Sequence, residues 1–141
     1  MKREAIDLPP VTLSEEDGVR YLHLGSIWIQ GGMRIRKPQV VEIDYVQRML
    51  ASLLWLPGET LGEGRAVQLG LGAGALTRFT AVALKMATTV VEINPQVVDV
   101  ARTLFDNLAR CGAACHTCHP SGLCPGRPPF RSGPLLGKFH G

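Results

Sequence analysis

Gly70, Gly72 and Gly74 stand at alternate positions directly after a short apolar run, Val67 to Leu69. A helix-like stretch follows, and a second apolar run, Thr89 to Val91, ends on Glu92. Glycines at such a place let a ligand approach main-chain N–H groups with no side chain in between, beside the start of a helix. A carboxylate closing the next strand can accept hydrogen bonds from ribose hydroxyls. Strand, tight turn, helix, strand, acid is the order of a nucleotide-type site. The plainer reading is a tight βα turn with no ligand. Gly70-x-Gly72-x-x-Ala75 also satisfies the dinucleotide fingerprint. A nicotinamide cofactor and an S-adenosyl ligand therefore both stay open at this point.

The flanking elements must position these groups. Asn94-Pro95 supplies an N-cap followed by proline at the first helical position. Val97, Val98, Ala101, Leu104, Phe105 and Leu108 then form a helical stripe, and Gly112 lies where a C-cap glycine would sit. This β-α-β-α order predicts a parallel sheet with helices on its faces over 64–110. Upstream, Val11 to Leu13, Val19 to Leu24 and Ile27 to Gln30 read as strands, with turn signals at Asp17-Gly18 and Gly25-Ser26. They predict an antiparallel meander that Gly31-Gly32 breaks. Glu42 to Trp55 carries Ile43, Val46, Leu50, Leu53 and Leu54 at helical spacing and reads as one amphipathic helix, stopped by Pro57-Gly58. The fold class is thus α/β: an N-terminal β-meander with one helix over 1–63, then the first β-α-β-α of a Rossmann-like doubly wound parallel sheet, incomplete because later strands are missing.

Composition narrows the partners. The chain has 141 residues, 45% hydrophobic and 19% charged, which fits a globular domain. No apolar run reaches the roughly 18 residues of a membrane span. Met1 to Pro10 has no apolar signal core, so the expectation is a cytoplasmic protein without a membrane partner. Residues 1–110 hold twelve basic and twelve acidic residues, so the net charge of +3 lies wholly beyond them. A neutral body gives no argument for nucleic acid.

With the meander in place, the chain resembles the spermidine synthase (polyamine aminopropyltransferase) family and its relatives with a class I methyltransferase-type fold, over about residues 11–110. That family carries a Gly and then a Gln in the meander, an E-x-x-Y-H-E segment, and G-G-G-D-G. Here these are Gly25, Gln30, Glu42-Ile43-Asp44-Tyr45-Val46-Gln47, and Gly70-Leu71-Gly72-Ala73-Gly74. The resemblance implies that Gln30, Gly70, Gly72, Gly74 and Glu92 touch a nucleoside-containing ligand and that Tyr45 lies near it. The implied chemistry is alkyl transfer, aminopropyl or methyl, from a sulfonium to a nucleophile. Val46 and Gln47 replace the family's His and Glu. Ala73 replaces the Asp that meets the aminopropyl cation, which points to S-adenosylmethionine or methylthioadenosine rather than the decarboxylated sulfonium. The family's catalytic D-S-S/T-D-P-type segment has no counterpart after residue 110. The catalytic residue is therefore unassigned, and the expectation is a C-terminally truncated, inactive transferase fragment that associates through bare sheet edges.

Residues 111–141 differ in kind. Eighteen of the 31 are Cys, His, Pro or Gly, too few apolar groups to offset the entropy of ordering. Cys115-His116-Thr117-Cys118-His119 matches the haem-attachment pattern, but covalent attachment accompanies export. Cys115, Cys118 and Cys124 with Cys111 or His119 offer zinc-type ligands at non-standard spacings. The preferred reading assigns no metal and takes the stretch as an irregular, disordered or out-of-frame tail after Arg110. Elsewhere Glu15-Glu16-Asp17 reads as a solvated turn, His23 as a surface or packing residue, and Met33, Met49 and Met86 as core or interface filler. Trp28 and Trp55 read as packed aromatics. Arg34, Arg36 and Lys37 read as a solvated face that could meet a carboxylate.

Overall fold

A computed structural model describes residues 7–105 and 114–117. The chain opens with an antiparallel sheet of β1 (Val11–Glu16), β2 (Val19–Leu24) and β3 (Ile29–Arg34), in sequential order. The β1–β2 turn uses Asp17 and Gly18 at positive φ, and the register pairs Val11 with Leu24 and Glu16 with Val19. Leu22 and Met33 turn one face of this sheet into the core, and Val19 is buried on the opposite face.

Strand β3 runs straight through Gly31-Gly32 instead of breaking there. A Cβ on Gly31 would stand 2.7 Å from the Ala73 nitrogen, and one on Gly32 would stand 2.9 Å from Ile43 Cδ1. These glycines remain in a strand because neighbours lie flat against the backbone, so they are contact positions rather than breakers.

The expected helix Glu42 to Trp55 divides in two. Only α1 (Asp44–Met49) is α-helical, and Leu50–Trp55 winds on as a 3₁₀ segment. Val46 is buried, but Leu54 is 87% and Trp55 89% exposed. An apolar stripe stabilises an α-helix only where a surface receives it. Trp28 and Met49 are also exposed rather than packed, whereas Met33 and Met86 are core residues.

The second sheet is parallel, in the order β4 (Arg65–Leu69), β5 (Ala87–Glu92), β6 (Ala114–Thr117). The two-stranded expectation is corrected by β6, which pairs with β5 from Thr89↔Ala114 to Glu92↔Thr117. A ladder of main-chain hydrogen bonds makes little demand on side-chain type, so composition did not reveal this strand. Cys111, Cys118, Cys124, His119, Leu108 and Gly112 lie outside the described residues.

Between β4 and β5 the chain forms α2 (Ala75–Arg78) and then a π turn, Phe79–Ala83. After β5, α3 (Pro95–Leu104) starts as its sequence directs, with the Asn94 side chain accepting the Gln96 N–H at 3.0 Å. Val97, Val98, Ala101 and Phe105 pack with Val90, Leu71, Ala73, Leu22 and Met33 in one core that joins both sheets. Among the described residues no helix is long and apolar enough to cross a membrane.

Candidate functional site

All three glycines of the turn have positive φ: 79° at Gly70, 54° at Gly72 and 72° at Gly74. L-residues rarely adopt that region, so the glycines are a backbone requirement. The turn is closed by Gly70 N–H donating to the Val91 carbonyl at 2.8 Å and Gly74 N–H donating to Leu71 at 3.0 Å. A Cβ on Gly70 would meet nothing within 4 Å, so this flank opens outward. The α-helical part after the turn is a single turn long, so the expected contribution of a helix terminus is slight. The turn backbone and the acid are the groups that remain to a candidate site.

Glu92 ends β5 directly against that turn. It is 7% exposed. Oε2 accepts the Leu71 N–H at 2.7 Å, and Oε1 accepts the Asn94 N–H at 2.9 Å. The carboxylate thus ties the glycine turn to the first turn of α3. Each oxygen keeps a further lone pair that can accept a ligand hydroxyl.

Gln30 meets the turn through its main chain. A Cβ on Gly72 would stand 3.3 Å from the Gln30 carbonyl oxygen. The same oxygen accepts the Tyr45 hydroxyl at 2.7 Å. Partial burial raises the Tyr45 phenol above its ordinary value, so it stays a donor. Gln30, Tyr45, the three glycines and Glu92 are therefore brought into one neighbourhood.

Two supports escaped the sequence reading. Arg78 is 1% exposed, and its guanidinium donates to the carbonyls of Pro38 at 3.0 Å, Ala73 at 2.8 Å and Phe105 at 3.0 Å. It staples the 35–42 loop, the turn and the end of α3 together. Its sequence signal was a lone charge inside an apolar helix, which is rarely buried without partners. Gln68 accepts from the Thr77 hydroxyl and donates to the Gly70 carbonyl, both at 2.7 Å, bracing the turn from β4.

An open groove of about 770 Å³ lies elsewhere, lined by Asp17, Arg34, Arg36, Lys37, Val40 and Glu42. None of the turn glycines lines it. Arg34 is engaged there by Glu42 through two hydrogen bonds, which raise its pKa further. Glu15 pairs with Arg20 at 2.7 Å, and the Ser14 hydroxyl lies 2.8 Å from His23 Nε2, so neither reaches the turn. Among the described residues no group of three or more metal-ligating side chains occurs.

No family model matches the chain. A polyamine aminopropyltransferase of Chromobacterium violaceum is 40% identical over 105 residues, 73% of this chain and 39% of that protein. One from Neisseria meningitidis is 37% identical over 99 residues, 70% of this chain and 36% of that protein. Among solved structures, a probable spermidine synthase from Corynebacterium glutamicum superposes with a TM-score of 0.57 at 16% identity, covering 76% of this chain and 40% of the other. The chain spans under two fifths of the length of the curated relatives it matches. The superposition carries the fold, and the sequence identity carries the kinship: over the stretch it shares with them, this chain belongs to the spermidine synthase-like family.

Proposed function

We propose that the chain holds the nucleoside-binding part of a spermidine synthase-like transferase and binds an S-adenosylmethionine-type ligand at the glycine turn. Gly70, Gly72 and Gly74 let the ligand approach the main chain, and Glu92 accepts from the ribose hydroxyls. Gln30 from the meander and Tyr45 from α1 form the wall beside the turn. In the intact family the reaction is alkyl transfer, aminopropyl or methyl, from a sulfonium to a nucleophile. An attacking amine must lose a proton, and no residue of this chain is assigned as that base. Binding is therefore the activity proposed for the chain itself. The observation that carries the reading is the Glu92 carboxylate seated on the Leu71 N–H, at the ligand flank of the turn.

Calorimetric titration with S-adenosylmethionine, methylthioadenosine and NADH tests it. The expected result is saturable binding of the first two and at least tenfold weaker binding of NADH, with Glu92→Gln losing about tenfold for the nucleosides, the cost of one good hydrogen bond. Preferential NADH binding would favour a dinucleotide fragment. Absence of binding by all three would remove the nucleoside reading.

A further inference from the structure

Ser14 and His23 form a pair that the glycine turn does not use. The β1–β2 register sets Thr12 opposite His23 and Ser14 opposite Tyr21, so Ser14 and His23 lie diagonally on one face of the meander. It is the face turned away from Leu22 and the core. A bulge in the β2–β3 ladder falls at this point: Leu22 pairs with Gly31 and His23 with Ile29, which leaves Gln30 without an opposite residue. Bulges re-aim the side chains beside them.

The two nitrogens of the His23 ring have different neighbours. Nδ1 lies 3.2 Å from the carbonyl oxygens of both Ile27 and Trp28. A carbonyl only accepts, so Nδ1 carries the proton and donates it there. In the neutral ring Nε2 then holds the free lone pair, and the Ser14 hydroxyl donates to it at 2.8 Å. Nucleophile, base and a group orienting the base are thereby joined, which is the arrangement of an activated hydroxyl. Ser14 is exposed, and the loop that anchors the ring carries Ile27 and Trp28, 87% and 73% exposed. An apolar acyl chain arriving at the hydroxyl finds apolar surface beside it.

We propose that Ser14 accepts acyl groups from activated esters, with His23 as its base. Ser14 Oγ attacks the ester carbonyl carbon as its proton passes to His23 Nε2. The tetrahedral adduct then collapses, the C–O bond to the leaving alcohol breaks, and the alcohol departs with the proton from Nε2. The acyl group stays on Oγ. The proposal stands apart from the nucleoside reading, since its residues belong to the outer face of the meander.

Ser52 supplies an internal control. It is exposed too, but its hydroxyl donates to the Met49 carbonyl at 3.0 Å, which is no base. The full 141-residue chain is treated with p-nitrophenyl butyrate. Peptide mass mapping over time then quantifies acylated serines apart from adducts on cysteine and lysine. Ser14 is expected to acylate at least about tenfold faster than Ser52. That is less than the roughly hundredfold or more of a well-placed general base, because neutral carbonyls rather than a carboxylate orient the ring. His23→Gln, checked by thermal melt, is expected to bring Ser14 down to the rate of Ser52. Equal rates at the two serines in the unaltered chain overturn the proposal without any variant. Ser14 keeping its lead in a folded His23→Gln overturns it as well, since something other than the imidazole then sets the rate. Where His23→Gln does not fold, the ratio of the two serines in the unaltered chain decides.

Discussion

The glycine turn at 70–74 and the segment at 50–63 are both short, irregular and rich in Leu or Gly, yet they behave in opposite ways. In the turn, Leu71 and Ala73 are buried, and hydrogen bonds tie it to β5, Glu92 and Gln68 and, at Gly74, back to Leu71. In the second segment, the 3₁₀ stretches Leu50–Trp55 and Gly58–Glu63 contain no buried residue. The turn's shape is set by requirements that each residue carries with it, positive φ above all. The other segment has apolar side chains without a surface to receive them. Local geometry is thus enough to fix a turn, whereas apolar spacing alone is not enough to form a helix.

The strongest way to break this contrast is to untie the turn. Glu92→Gln keeps the shape but sets an amide N–H₂ against one of two main-chain donors, Leu71 or Asn94. Losing a buried hydrogen bond to a charged acceptor costs roughly 2–3 kcal/mol. The expected result is a melting midpoint lowered by roughly 10 °C for a domain of this size. Glu92→Gln melting within a degree of the unaltered chain would mean that the turn holds itself and that the carboxylate is free for a ligand.

The contrast also marks what could be read from the chain alone. The meander, the glycine turn, Glu92 and the Asn94-Pro95 helix start were legible because each depends on a few adjacent residues with one preferred geometry. Gly31-Gly32 was misread as a break, because the neighbours that demand those glycines, Ala73 for Gly31 and Ile43 for Gly32, are not adjacent in sequence. The buried role of Arg78 rests on carbonyls at 38, 73 and 105, which no local pattern links. The helix over 42–55 was overextended because spacing records which side chains share a face and not whether that face is covered. Strand β6 escaped because its pairing is carried by the main chain.

A smaller effect sharpens the link between α1 and the meander strand that lies against the turn. Tyr45 donates to the Gln30 carbonyl at 2.7 Å, so Tyr45→Phe should cost about 1 kcal/mol. Burial raises its folded pKa above the unfolded value. The neutral phenol is the form that donates, so its contribution is complete below the unfolded phenol pKa and is lost as pH rises through the higher folded value. An alkaline unfolding limb present in the unaltered chain and diminished in Tyr45→Phe is the expected signature. Identical alkaline limbs in both proteins would place the pH response elsewhere.

The smallest expected effect lies in the uncovered segment, and it separates folding from association. Both crossovers, β4 to β5 and β5 to β6, advance in one direction across the sheet. Right-handed connections therefore place their helices on one face. Val67 and Leu69 on β4 remain 61% and 84% exposed, and Leu54 and Trp55 are exposed as well. Exposed apolar groups contribute little to folding but supply an interface for self-association. Leu54→Ser with Trp55→Ser should change stability by no more than about 0.5 kcal/mol. In sedimentation velocity the same pair of changes should reduce self-association. A drop of several degrees in melting midpoint would show that Leu50–Trp55 packs against the body after all, and the difference between the two regions would then lie in their partners rather than in their exposure.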